Sequence, residues 1–272
     1  MPHGALDLKR FRNFIPLVGA RAAKKVASCY SLILLSSVIS VIYAPYFTLL
    51  VFTLGSAWHF GRSEVRFSSG PTDPGWISGM CRGAFVVGLP IIWHTTELKQ
   101  IIDDWCSLFG TPPVQASTWL SIAKGTQVFM IAASVFWIVG CVRMLSCRMY
   151  HQSALTAFGT AAVVAASWVL HPLFSVGIYF LFWHSVSHIL ADRASDTKRT
   201  LAADLIGVHG DSLPLLIPTW IAFGVFAAML VDNWRPDQLA VLLLVFFAIL
   251  TPAHEWLQWR LCQFNQTRIP IL

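Results

Sequence analysis

Apolar runs about as long as a lipid bilayer is thick recur along this sequence and constrain its fold more than any other feature. A helix that crosses the ~30 Å hydrocarbon core needs about 20 mainly apolar residues, and its backbone polar groups must be hydrogen-bonded within the protein. Runs near that length, some of them short, occur at residues 26–43, 46–60, 77–95, 119–142, 154–170, 173–191, 213–232 and 238–258. They predict an all-α, polytopic transmembrane helix bundle of about eight spans.

The composition agrees with this interpretation. Of the 272 residues, 56% are hydrophobic and 12% are charged, and the mean hydropathy of +0.63 lies outside the range of soluble domains. No internal repeat or long linker divides the chain, so we predict one transmembrane domain over residues 1–272. The net charge of +6 is expected in loops at one membrane face, and we expect no nucleic-acid partner. The six cysteines form no CxxC pair, which indicates buried apolar residues rather than disulfides or a zinc site.

Turn signals and charges give the predicted topology. Pro45, Pro172 and residues 232–237 are expected to separate spans. Lys and Arg cluster before the first run and after the even-numbered runs, which predicts that these ends and the C-terminus face the cytoplasm from the inner membrane. Residues 96–118 are expected to form an interfacial helix or loop on the outer face. We expect no cleavable signal peptide, because the chain opens on a polar, histidine-containing segment.

Five histidines are predicted to share one membrane depth. His184 and His188 lie four residues apart at the end of the sixth run, which places both imidazoles on one helical face. His3, His59 and His254 also lie shortly before charges assigned to the cytoplasmic face. The other four are expected not to be metal ligands, two because they lie in loops and two because they lie near the outer face: His151 and His209, and His171 and His94.

A cluster of imidazoles favours a metal that is redox-capable or a Lewis acid, such as iron, copper, zinc or nickel. A mononuclear non-haem Fe(2+) site with positions left open for dioxygen fits these ligands best. For any single histidine near a helix end, a structural role at the membrane interface is the more common alternative. The pair formed by His184 and His188 favours a ligand role.

Carboxylates near this layer are few. Asp7, Glu64 and Glu255 are candidate hydrogen-bond partners of metal-bound histidines, or solvated charges at helix ends. Their scarcity argues against a diiron carboxylate site. Aromatic residues flank the candidate ligands and either line a tunnel for a long apolar substrate or sit at the membrane interface: Trp58, Phe60, Tyr179, Phe180, Phe182, Trp183, Trp256 and Trp259.

Four blocks of this sequence resemble, in order, the signature segments of the Brp/Blh family of bacterial β-carotene 15,15'-dioxygenases. They are PHGALD at residues 2–7, WHFG at 58–61, YFLFWHSVSH at 179–188 and TPAH at 251–254. The resemblance covers nearly the whole chain. It implies an integral-membrane, iron-dependent oxygenase that uses O2 to cleave the central double bond of β-carotene into two molecules of all-trans-retinal.

The resemblance also implies a site. The Fe(2+) ligands would be His3, His59, His184 and His188, and His254 would either contact the ligands or lie in the substrate pocket. Further residues around the ligands or in the pocket would be Asp7, Glu64, Trp58, Tyr179 and Trp183. Besides the carotenoid, O2 and membrane lipid, the implied partner is a microbial rhodopsin that receives the retinal.

This chain departs from the family pattern at three places. Glu64 stands where the family commonly has Asp, and Glu255-Trp256 stands where aliphatic residues are expected, so the substrate pocket is expected to differ. The PHGALD block normally closes a preceding transmembrane helix, whereas here it starts at residue 2. Either an upstream helix or a free N-terminal segment would carry His3.

Other classes of function remain open on the sequence. A related membrane oxygenase could act on another carotenoid or cleave another bond. A membrane desaturase or hydroxylase with two irons would need several clustered histidine motifs, and this chain has one HxxxH. A haem protein with two axial histidines and a carotenoid- or retinal-binding protein without catalysis are the non-oxygenase alternatives.

Overall fold

The computed structural model describes residues 7–68, 76–186, 201–231 and 235–268. All regular structure in these ranges is helical, which confirms the predicted fold class for the described part of the chain. The helices, in chain order, are α1 (Asp7–Val18), α2 (Ala20–Tyr43), α3 (Pro45–Ser68), α4 (Trp76–Trp93), α5 (Thr95–Ser107), α6 (Ala116–Ser146), α7 (Tyr150–Val169), α8 (Pro172–Ile178), α9 (Leu201–Leu230) and α10 (Pro236–Arg268). A π-helical turn, Tyr179–His184, continues α8.

Six of the described helices are long and apolar enough to cross a membrane. These segments are Ala20–Tyr43, Trp76–Trp93, Ala116–Ser146, Tyr150–Val169, Ile206–Leu230 and Pro236–Leu261. The predicted count of about eight is not confirmed. Helix α3, which contains the run at 46–60, also holds polar residues such as Ser56, His59 and Arg62. The run at 173–191 is represented by the shorter apolar helix Pro172–His184, and its remainder lies outside the described residues.

The surfaces of these helices are those expected in contact with lipid. On α6, for example, Val128, Phe129 and Ile131 are 69%, 59% and 68% exposed. Contiguous apolar surfaces of this kind are rare on soluble monomers because water disfavours them. The chain therefore has the surface of a membrane protein.

Prolines and one glycine mark the helix boundaries. Helix α2 ends at Tyr43 and α3 begins at Pro45, and α7 ends at Val169 before α8 begins at Pro172. Proline is favoured at the first helical position because its missing N–H has no helical partner there, and both predicted turns are confirmed. Gly19, between α1 and α2, has a φ of 82°, a left-handed backbone conformation that glycine adopts without steric cost.

The helices divide into two compact units. The first contains residues up to 52 and from 196 onward, and the second contains residues 53–195. A single transmembrane domain over residues 1–272 stays a prediction. In the first unit, α1, α2 and α10 contact one another, and Phe14, Val26 and Leu257 form a small core there.

The second unit is built around α4. This helix contacts α5, α6, α7 and α8, and 56% of its membrane-length segment is buried. Its core joins Phe60 of α3 and Tyr179 of the π-helical turn to Phe85, Val86 and Leu89 of α4, among others. The segment of α3 that carries His59 and the turn that carries His184 therefore share one apolar core.

Candidate functional site

The second unit brings together two of the predicted metal ligands, His59 and His184. The Nε2 atoms of the two imidazoles lie 2.9 Å apart, and the ring centroids lie 4.6 Å apart. His184 is 1% exposed. Two polar rings thus meet inside an otherwise apolar core, where each nitrogen needs a partner.

The spacing of these nitrogens fits two neighbouring ligands of one metal ion. Imidazole nitrogens bind first-row metals at about 2.1 Å, so two ligands at a right angle have nitrogens about 3 Å apart. Imidazole suits iron as well as zinc, copper and nickel. The two imidazoles therefore fit as neighbouring ligands of one metal ion, and iron is among the metals that they suit.

The local backbone aims His184. Over Tyr179–His184 the helix is π-helical, and the Ser185 backbone N–H donates to the carbonyl of Phe180. The Ser185 hydroxyl donates to the same carbonyl at 2.8 Å. A π-helical turn contains an extra residue and therefore re-aims the side chains that it carries, and such turns are frequent at functional sites.

Aromatic rings surround His184. Phe180 stacks on its imidazole with centroids 5.7 Å apart and planes inclined by 18°. Phe60 meets the same ring edge-on at 5.2 Å, and Tyr179, which is buried, meets Phe60 edge-on at 5.1 Å. These rings exclude water from one side of the imidazole pair and give it apolar walls.

Close contact between α3 and α4 fixes the position of His59. A Cβ atom placed on Gly83 would lie 2.3 Å from the carbonyl oxygen of Ala57 and 2.4 Å from the backbone nitrogen of Gly61. Only a residue without a side chain lets the two backbones approach so closely. The glycine therefore sets the distance between α4 and the turn of α3 that contains His59.

A buried arginine lies beside the next predicted site residue, Trp183. The guanidinium carbon of Arg82 is 5.6 Å from the centroid of the Trp183 ring, and Arg82 is 5% exposed. A cation over the face of an indole ring is attracted by the ring's negative face. Trp183 is thus held by an electrostatic contact as well as by packing.

The first unit contains a polar contact between Asp7 and His254. Both carboxylate oxygens of Asp7 lie 2.9 Å from Nδ1 of His254, and both residues are buried. The Tyr30 hydroxyl donates to Oδ2 of Asp7 at 3.5 Å. Because a carboxylate only accepts, Nδ1 of His254 carries a proton, which is the arrangement found when a carboxylate orients a functional histidine.

The other predicted site residues have different placements. Trp58 is 52% exposed, because neighbouring residues of a helix point about 100° apart and His59 is the one that points inward. His3 and His188 lie outside the described residues, and so does the side chain of Glu64. All four of these assignments stay predictions.

Two of the histidines expected not to be ligands lie in helices rather than in loops. His151 and His209 were expected in loops, but they lie in α7 and α9. Helix α7 already begins at Tyr150, and the glycines on either side of His209 do not end α9, since one glycine costs a helix only about 1 kcal/mol. His94 donates from Nε2 to the backbone carbonyl of Ser167 at 2.8 Å. His171 precedes α8, and its ring lies 6.4 Å from that of Phe174.

Three residues near the predicted site were not identified from the sequence. Ser63 contacts His184, Arg82 contacts Trp183 and Tyr30 contacts Asp7. Arg82 had a usable signal, because a charged residue in an apolar run is rarely without a role. Ser63 had a weaker one, its position four residues after His59.

Comparisons with known proteins identify the family of this chain. A model of the family described as β-carotene 15,15'-dioxygenase matches residues 1–260, so the chain belongs to that family. A protein of an uncultured marine bacterium, 66A03, named β-carotene 15,15'-dioxygenase, is 26% identical over 197 residues. That match covers 69% of this chain and 63% of the relative's length. No solved structure matches.

Proposed function

We propose that this protein is a membrane oxygenase that cleaves the central 15,15' double bond of β-carotene with O2. The observation that carries the proposal is the pair of imidazole nitrogens of His59 and His184, 2.9 Å apart within an aromatic core. Membership of the β-carotene 15,15'-dioxygenase family supports the choice of substrate and bond. Each carbon of the broken bond would receive one oxygen atom, so one O2 and one β-carotene balance two molecules of all-trans-retinal.

The chain's own residues would hold and shield the reacting groups. His59 and His184 would hold Fe(2+), together with His3 and His188. When bound, the iron supplies the capacity to bind and activate dioxygen. Phe60, which contacts the imidazole pair, would keep water away from it.

An apolar site suits this substrate because β-carotene is a hydrocarbon. The molecule dissolves in the membrane interior and offers no polar group for recognition, so shape and aromatic contacts would have to hold it. Tyr179 and Trp183 would contribute to that surface. Holding the central double bond at a fixed distance from the iron would supply much of the rate acceleration.

The proposed location is the inner membrane of a bacterium. The distribution of Lys and Arg supports an orientation with the C-terminus and the iron site toward the cytoplasm. Membrane lipid would surround the apolar helices. A microbial rhodopsin would be the functional partner, because it consumes retinal.

Expression of the full chain in bacteria that accumulate β-carotene tests the proposal. The cells are expected to lose their orange colour, and chromatography of extracts is expected to show retinal. His59→Ala and His184→Ala are expected to abolish retinal formation. The matched control is His151→Ala, since His151 is exposed, and it should behave as the wild type does.

Three results would change the proposal. Intact β-carotene in cells that contain folded, iron-loaded protein would contradict it. An asymmetric or shorter apocarotenal would keep the oxygenase class and move the cleaved bond. A Soret band in the purified protein would favour the haem alternative, in which histidines bind a haem iron.

A further inference from the structure

Ser63 and His59 hold the same imidazole from one turn of α3. Four residues separate them, so they lie on one face of the helix. The Ser63 Oγ lies 3.1 Å from Nδ1 of His184, and Nε2 of His59 lies 2.9 Å from Nε2 of His184. The His184 ring therefore spans a turn of α3, with one ring nitrogen at each residue.

The Ser63 hydroxyl donates its one proton to a backbone carbonyl. The Ser63 Oγ lies 2.8 Å from the backbone carbonyl of Phe60, and a carbonyl can only accept a hydrogen bond. A serine hydroxyl has one proton and two lone pairs. Ser63 therefore donates to Phe60 and accepts from His184.

These hydrogen bonds determine which nitrogen of the His184 ring carries the proton. A neutral imidazole has one N–H, and the acceptor at Ser63 places it on Nδ1. The lone pair then lies on Nε2, the atom that faces His59. An imidazole binds a metal through a nitrogen that carries no proton, and the hydrogen bond of the other nitrogen selects which one that is.

We propose that Ser63 is a positioning residue of the metal centre, whose hydroxyl holds His184 in the tautomer and orientation that present Nε2 to the ion. This inference rests on the proposed function, because it needs a metal at the imidazole pair. A hydroxyl is a neutral partner, so it orients the ring without adding charge to the buried site. It takes the place that a carboxylate or backbone carbonyl commonly has beside a metal-bound histidine.

Ser175 offers a matched control in the same unit. Both serines are 4% exposed, and the Ser175 hydroxyl donates to the carbonyl of Pro172 at 3.0 Å, three residues back as in Ser63. Removal of either hydroxyl loses a similar helical bond. Only Ser63 also bonds to a proposed ligand.

Metal binding to the purified full chain tests the inference. Metal-free protein in detergent would be titrated anaerobically with Fe(2+) against a chelator, and with Co(2+), whose visible spectrum reports its ligands. Ser63→Ala is expected to weaken binding by about tenfold or more and to change the cobalt spectrum. Ser175→Ala is expected to leave both unchanged.

A pair of isosteric variants distinguishes the effect of the hydroxyl from the effect of side-chain packing. Ser63→Thr keeps the hydroxyl and Ser63→Val replaces it with a methyl group of similar size, so Thr should retain metal affinity and Val should lose it. This pair decides the question if Ser63→Ala does not fold in a thermal unfolding assay. Equal affinities for the Thr and Val variants would overturn the inference.

The failures of the two proposals are distinguishable. Wild-type protein that binds neither Fe(2+) nor Co(2+) would contradict the proposed function. Wild-type protein that binds metal while the alanine and valine variants bind it equally well would leave the metal centre in place and overturn the role of Ser63.

Discussion

Asp7 and His254 lie 247 positions apart in the sequence, and both carboxylate oxygens of Asp7 lie 2.9 Å from Nδ1 of His254. This contact joins the first turn of α1 to the middle of α10. Because both residues are buried, loss of either one removes a hydrogen bond in a medium that solvates charge poorly. The contact therefore couples the two ends of the sequence within the first unit.

Asp7→Ala should lower the free energy of unfolding by roughly 1.5–3 kcal/mol, the usual contribution of a hydrogen bond to a charged group. Asp211→Ala is the control, because Asp211 pairs with Lys9 at 2.5 Å while their side chains are 40% and 49% exposed. Exposed pairs contribute about 1 kcal/mol or less. Denaturant unfolding in detergent measures both, and equal losses for the two variants would show that the Asp7 contact is no stronger than a surface pair.

Metal removal should lower the thermal stability of the protein. A metal that binds only the folded state adds about 2.7 kcal/mol when its free concentration is 100 times its dissociation constant. A chelator is expected to lower the unfolding temperature of the wild type and to have no effect on His59→Ala. A chelator-induced shift of equal size in His59→Ala would place the stabilising metal elsewhere.

Gly83→Ala should destabilise the second unit, because its Cβ would lie 2.3 Å from the carbonyl oxygen of Ala57. Separation of the two backbones is expected to cost roughly 1–3 kcal/mol and to reduce retinal formation by moving His59. Gly125→Ala is the control. A Cβ there meets nothing within 4 Å, so this variant should gain up to about 1 kcal/mol from helix propensity. Similar stabilities for the two variants would contradict the close-contact argument.

Arg82→Lys should lower stability by roughly 0.5–2 kcal/mol, although it keeps the positive charge. A lysine cannot present the planar guanidinium that lies over Trp183. A double-mutant cycle with Trp183→Leu measures the coupling between the two side chains. A coupling energy near zero would show that Arg82 acts through other contacts.

Much of the fold could be predicted from local sequence because its causes are local. Pro45 and Pro172 begin helices because proline suits the first helical position, and apolar runs identify long helices by length. The run at 46–60 was predicted as a span although His59 lowers its hydropathy, and the structure buries part of that segment. Local hydropathy cannot report a polar residue that another helix covers.

The site could be predicted only in part. The sequence singled out His59 and His184 by their predicted depth and by family resemblance, and the structure brings them together. The sequence offered Asp7 as a candidate hydrogen-bond partner of a histidine, and its described partner is His254. Local spacing cannot identify that partner, because the contact depends on how α1 and α10 pack. The contacts of Ser63, Tyr30 and Arg82 also depend on how helices pack, so local spacing does not identify them.

The π-helical turn at Tyr179–His184 makes the length of this segment a condition of function. A π-helical turn holds one residue more than an α-helical turn, so deletion of one residue there would restore a regular α-helix. The helix on either side would keep its register, yet the side chains within the turn, His184 among them, would lose the directions that the extra residue gives them. Active lineages of this protein should therefore vary in side chain along this stretch while tolerating neither insertions nor deletions within it.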